Sequence, residues 1–101
     1  MRKVNFEEAK EIMDSRPQWI LLDVREEEEF ITGHAEDALL LPVDEIDENR
    51  AADVIPSKDT VVLVYCRSGR RSADAAKKLE SYGYGEIYDI GSLIGWPYGM
   101  E

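Results

Sequence analysis

An α/β fold built on a mainly parallel sheet is what this sequence predicts, and three observations predict it. The runs Trp19 to Val24 (WILLDV) and Thr60 to Tyr65 (TVVLVY) have the near-continuous hydrophobicity of strands covered on both faces. Segments of helical period alternate with these and with shorter apolar runs. No repeat, composition break or low-complexity linker interrupts the 101 residues, so one domain, residues 1–101, is expected.

The elements follow in order. Asn5 and Glu8 stand at capping-box spacing, and Val4 and Ala9 at hydrophobic-staple positions. Phe6, Ala9, Ile12 and Met13 share one face, so Phe6 to Ser15 is expected to be helical, ended by Pro17. The strand Trp19 to Val24 leads into a short helix over Glu26 to Phe30, with Gly33 as breaker. Ala38 to Leu41 reads as a second buried strand stopped by Pro42. Asp44 is expected to cap a helix running to about Asp53, with Pro56 beyond it. Thr60 to Tyr65 is β-branched, apolar and bounded by turn residues. Arg70 to Tyr82 reads as a helix with Ala73, Ala76 and Leu79 inward and Gly83 at its C′ position. Glu86 to Ile90 is a last strand, and the Gly- and Pro-rich stretch Gly91 to Glu101 has no assigned element.

Charge excludes some partners. The chain has 12 Lys and Arg against 22 Asp and Glu, a net charge of −10. Nucleic acids and anionic membranes call for positive surfaces, so neither is an expected partner. At 44% hydrophobic residues the chain should nevertheless fold. Its first residues are amphipathic without a signal-peptide core, and its longest apolar run is strand-sized. A soluble, cytoplasmic protein is therefore expected, where a free thiol is ordinary. The single cysteine, Cys66, excludes an internal disulfide and a cysteine-based zinc site. A single histidine, His34, argues against an imidazole-rich metal site. No metal or cofactor is expected.

Ligands of such sheets sit at the carboxyl ends of the strands. That rule points to the loop after Tyr65, which reads Cys66-Arg67-Ser68-Gly69-Arg70-Arg71-Ser72. From Cys66 to Lys78 the acidic chain gathers five cations against one acid, Asp74. A loop between a strand end and a helix N-terminus turns its backbone N–H groups into one concavity, an anion site. Gly69 permits the tight turn. The thiolate is the reactive form of cysteine, and helix N-termini and nearby cations favour it. A reactive thiolate with an anionic substrate beside it is the expected chemistry, set against a small core cysteine with solvated charges around it.

The run YCRSGRRS resembles the active-site loop of the rhodanese family of sulfurtransferases. Upstream, Asp23, Val24, Arg25, Glu29, Phe30, Gly33, His34, Ala38 and Pro42 match that family's DVR and GH block in order and spacing. Downstream, Gly91 and Trp96 match its closing Gly-Gly to Trp motif, so the resemblance runs over about residues 3 to 96. Ala35, Asp37 and Ser92 depart from it, standing where Ile, Gly and a second Gly are usual. The resemblance implies a three-layer rhodanese-like fold, a five-stranded mainly parallel sheet flanked by helices on both faces. A short strand near Lys3 and Val4 would be the fifth. It also implies a double displacement: Cys66 takes a sulfane sulfur from a small anionic donor such as thiosulfate. The resulting persulfide passes it to cyanide, a thiol or a protein acceptor. The backbone from Arg67 to Ser72 would form the cradle, with Arg67, Arg70 or Arg71 orienting the donor.

Two other functions use the same architecture. A persulfide carrier or redox-sensing partner-binding module would share the loop without small-molecule turnover. Cysteine-dependent phosphatases and arsenate reductases set their arginine one residue further from the cysteine than Arg71 stands from Cys66. Their larger loop suits a tetrahedral oxyanion. Asp23 and Arg25, at the end of a strand, are expected as an ion pair supporting the following loop. His34 is expected to make a structural hydrogen bond rather than act as a base. Glu26 to Glu29 reads as a solvated helix start. Trp96 and Tyr98 are expected to pack the C-terminal segment against the core.

Overall fold

The structure is a computed structural model describing residues 1–101. Five strands form one sheet: β1 (Arg2–Lys3), β2 (Trp19–Asp23), β3 (Leu39–Leu40), β4 (Val61–Cys66) and β5 (Glu86–Ser92). Their order is β1-β5-β4-β2-β3 and every pairing is parallel. The helices are α1 (Phe6–Ser15), α2 (Glu27–Thr32), α3 (Glu48–Val54) and α4 (Arg70–Ser81). None is long and apolar enough to cross a membrane.

The period-two geometry of strands divides the core into two layers. Leu22, Val24, Val62, Val64, Cys66 and Ile87 point to one face, where Ala51 and Ile55 of the α3 region and Ala75, Ala76 and Leu79 of α4 cover them. Leu21, Val61, Leu63, Tyr65 and Ile90 point to the other, against Ala9 of α1, with Phe6, Ile12, Met13 and Phe30 packed around. β4 is buried along its whole length, as its apolar run predicts. The α1 capping box forms, with the Asn5 side chain accepting from Glu8 N–H at 2.8 Å and Glu8 accepting from Asn5 N–H at 3.0 Å.

Several expectations need correction. The helix after Pro42 is not capped by Asp44. Val43–Glu45 is a single 3-10 turn, Ile46 leaves it to enter the core, and α3 starts after Asp47, whose side chain accepts the Arg50 N–H at 2.7 Å. The strand Ala38 to Leu41 shrinks to two paired residues at the sheet edge, and Leu39 is exposed rather than buried. The inward face of α4 carries Ser72, Ala75, Ala76 and Leu79; Ala73 is only half-buried. The edge strand near the N-terminus is Arg2–Lys3, one residue earlier than expected.

β5 continues past Ile90 because it bulges. Val64 pairs with Asp89 but Tyr65 pairs with Gly91, so Ile90 is an extra residue in the ladder. Gly91 has φ +82°, and its N–H donates to the buried Asp89 carboxylate at 2.9 Å. The bulge carries the end of β5 alongside Cys66, and the Leu93 N–H donates to the Cys66 carbonyl at 2.8 Å.

Candidate active site

Cys66 is the last residue of the central strand β4 and is fully buried. The chain turns directly after it through Arg67, Ser68 and Gly69 into α4. Gly69 is the residue before the helix and sits at φ +94°, a left-handed conformation that costs an L-residue but not glycine. In that conformation the Gly69 N–H donates to Cys66 Sγ at 2.9 Å. The sulfur therefore accepts one backbone N–H just before the N-terminus of a 12-residue helix. The Ser72 hydroxyl, buried in the first turn, donates to the Gly69 carbonyl at 3.1 Å and holds the turn shut. A second tie comes from β5, where the Ser92 hydroxyl donates to the Arg67 carbonyl at 2.5 Å. A Cβ on Gly69 would lie 3.7 Å from the Gly91 Cα, so the two glycines pack backbone on backbone.

The three arginines of the loop part company. Arg71 turns to α2 and makes a two-pronged ion pair with Glu29, at 2.6 and 3.0 Å. That contact, with a hydrogen bond from the Glu26 N–H, holds the Glu29 carboxyl down at about 2, well below the ordinary carboxylate range. The Arg71 guanidinium is correspondingly held more firmly charged. Arg67 and Arg70 are exposed and form no ion pair. Ser68 is also exposed.

Asp23 and Arg25 form a buried ion pair beside the loop, with Arg25 Nη2 donating to Asp23 Oδ2 at 2.6 Å. The same nitrogen donates to the Gly33 carbonyl at 2.7 Å. The Tyr65 hydroxyl donates to Asp23 Oδ2 at 2.6 Å and accepts the Ala35 N–H at 3.1 Å. Burial and the neighbouring Asp23 carboxylate push the Tyr65 phenol far up, so it stays a donor. The pair thus anchors the Gly33 to Ala35 loop. His34 stacks on Phe30 with ring centroids 3.7 Å apart, and its Nδ1 lies 2.9 Å from the Phe30 carbonyl. That is a structural hydrogen bond within α2 and its exit. Asp37, in the position where the family pattern has glycine, adopts φ +68°. The loop keeps its left-handed residue with an aspartate in it.

Glu29 and Tyr65 join this region through contacts that the sequence does not display, Glu29 with Arg71 and Tyr65 with Asp23. Glu29 belongs to a run of four glutamates that reads as solvent-facing. Its match to the family pattern is the one sequence signal that sets it apart, and its pairing with Arg71 gives that match a physical reason. No group of three or more His, Cys, Asp or Glu side chains is arranged to hold a metal ion.

A family model described as "Rhodanese-like domain" matches residues 5–96. The chain is 37% identical over 75 residues to the thiosulfate sulfurtransferase PspE of Escherichia coli, covering 74% of this chain and 69% of that protein. It is 33% identical over 97 residues to a sulfurtransferase of Allochromatium vinosum, covering 95% of this chain and 88% of that protein. Among solved structures, a rhodanese with anions from E. coli aligns with a TM-score of 0.75 at 30% identity, over 81% of this chain and 95% of that one.

Proposed function

The chain belongs to the rhodanese-like family of sulfurtransferases, and from that premise we propose that Cys66 carries sulfur as a persulfide between a small anionic donor and a nucleophilic acceptor. In the first step the Cys66 thiolate attacks the sulfane sulfur of a donor such as thiosulfate. A new sulfur–sulfur bond forms at Sγ, the donor's own sulfur–sulfur bond breaks, and sulfite leaves with the electron pair. In the second step cyanide or a thiolate attacks the outer sulfur and Cys66 leaves as thiolate.

The observation that carries this reading is the seat of the Cys66 sulfur, 2.9 Å from the Gly69 N–H at the start of α4. A donor dianion, a thiolate and a persulfide are all anions, and preorganised N–H groups at a helix N-terminus stabilise each of them. Arg67 and Arg70, exposed and without ion-pair partners, are the loop cations available to attract the donor. Arg71, engaged by Glu29, buttresses the loop from outside. Its fork is thereby withdrawn from the role an arginine has on a tetrahedral phosphate, which favours sulfur over phosphoryl chemistry.

Incubation with thiosulfate is expected to add one sulfur atom to Cys66, read by intact mass and removed by cyanide. Absence of the adduct on reduced protein would overturn the reading. Loading with negligible turnover to any small acceptor would turn it into that of a persulfide carrier.

A further inference from the structure

Ser92, at the end of β5, stands where the family pattern has a second glycine. The end of β5 holds the loop after Cys66 at three points. The Leu93 N–H donates to the Cys66 carbonyl at 2.8 Å. The Ser92 hydroxyl donates to the Arg67 carbonyl at 2.5 Å. Gly91 packs its backbone on Gly69. Of the three, only the Ser92 contact is made by a side chain, and a glycine could not make it. The direction of the hydroxyl is set as well. Its oxygen accepts the Ile94 N–H at 3.1 Å, which leaves its proton for Arg67.

Peptide planarity turns these ties into a direction. No peptide bond in the chain is cis, and in a trans peptide the N–H points opposite to the carbonyl. The Cys66 and Arg67 carbonyls both face β5, so the N–H groups of Arg67 and Ser68 both face away from it. Neither N–H has a partner in the protein. Unpaired N–H groups on one side of a loop that leads into a helix suit an anion. The first is fixed through the Leu93 backbone, which any residue there would supply. The second depends on Ser92, because the Arg67 carbonyl accepts no other hydrogen bond. On the sulfurtransferase reading above, we propose that Ser92 is a positioning residue for the donor. Its hydroxyl holds the 67–68 peptide in one orientation and keeps the Ser68 N–H turned to the oxygens of a small dianion. Without the hydroxyl that peptide is free to rotate, and the preorganisation of the donor seat is lost.

The test compares the full unaltered chain with Ser92→Ala, which lacks the hydroxyl, and Ser92→Thr, which keeps it. Single-turnover loading with thiosulfate is followed by intact mass. Ser92→Ala is expected to raise the thiosulfate concentration at half-maximal rate about fivefold and to change the limiting rate by less than about twofold. Ser92→Thr should load like the unaltered chain. A second readout needs no sulfur transfer: the rate of Cys66 alkylation by iodoacetate, an anion, relative to iodoacetamide, its neutral analogue. Both reagents meet the same thiolate, so the ratio reads what the loop does for an anion. Ser92→Ala is expected to lower that ratio several-fold and Ser92→Thr to keep it. Both alkylation rates falling together with an unchanged ratio, alanine and threonine behaving alike, or loading by Ser92→Ala that matches the unaltered chain would overturn the positioning role. An unaltered chain that is alkylated but does not load would instead strike the sulfurtransferase reading, and the alkylation ratio would still decide on Ser92.

Discussion

Glu29→Gln tests whether the Arg71 pair is a clamp on the loop or an idle surface contact. A carboxyl held near 2 instead of its ordinary 4.5 expresses at most about 3 kcal/mol in favour of the charged form. The Glu29 and Arg71 side chains are 28% and 30% exposed, so solvent screening reduces the usable part to about 1–2 kcal/mol. Glutamine keeps an acceptor for the Glu26 N–H and loses the charge. The substitution is expected to lower stability at neutral pH by about 1 kcal/mol, or roughly 4–8 °C in Tm for a domain of this size. Because the folded-state carboxyl titrates lower than the unfolded one, its contribution is complete above pH 4.5. It fades as the pH falls from there toward 2. Thermal melts of both proteins across that range should converge on the acid side and separate at neutral pH. A gap that does not change with pH, or no gap at pH 7, would show that the ion pair does not act as argued.

Asp23→Asn removes the charge that balances the buried Arg25 and is expected to cost about 3–5 kcal/mol, read as a lower urea midpoint; a loss below 1 kcal/mol would mean Arg25 finds another partner. Asp37→Gly places the residue suited to φ +68° at that position while keeping the N–H that bonds to the Glu101 side chain. It should raise stability by roughly 0.5–1 kcal/mol in the same assay, and a loss of stability would contradict the strain assigned there.

What could be read from the sequence, and what could not, follows from the range of the interactions. β2, β4, α1 and α4 come out within a residue or so because their signals are local: unbroken apolar runs, a capping box and a loop glycine. The place of Cys66 at the end of β4 and the start of the α4 loop is legible because it ends the most apolar strand and begins the most cationic segment. The start of α3 was not, because Asp44 and Asp47 are both acceptable caps and the burial of Ile46 between them decides. The family pattern marks Glu29 among its glutamate neighbours, but the partner that explains it, Arg71, lies 42 residues later and is not legible locally. The bulge at Ile90 depends on register against β4, which no window of β5 contains. The segment after Gly91 has no local pattern since its partners lie far upstream, Ala35 bridging Met100 and His34 exchanging two backbone hydrogen bonds with Glu101.

The cations between Cys66 and Lys78 are not all free. Of the five between Cys66 and Lys78, Arg71 is neutralised by Glu29 and Lys78 donates to the Val43 carbonyl at 2.8 Å. Arg67 and Arg70 are exposed and form no ion pair, and Lys77 is exposed along α4. The acidic exterior does not cancel them for a small anion at contact. Exposed charges more than about 10 Å away are largely screened at physiological salt, whereas N–H groups and a guanidinium at hydrogen-bond distance are not. Large polyanions meet the whole −10, and a thiosulfate-sized ion meets only the loop. Arg71 is held by Glu29, and under the proposed function Arg67 and Arg70 are the cations left for the donor. An arginine answered by a carboxylate joins α4 to α2, and under the proposed function an arginine left unanswered is the one available to the donor.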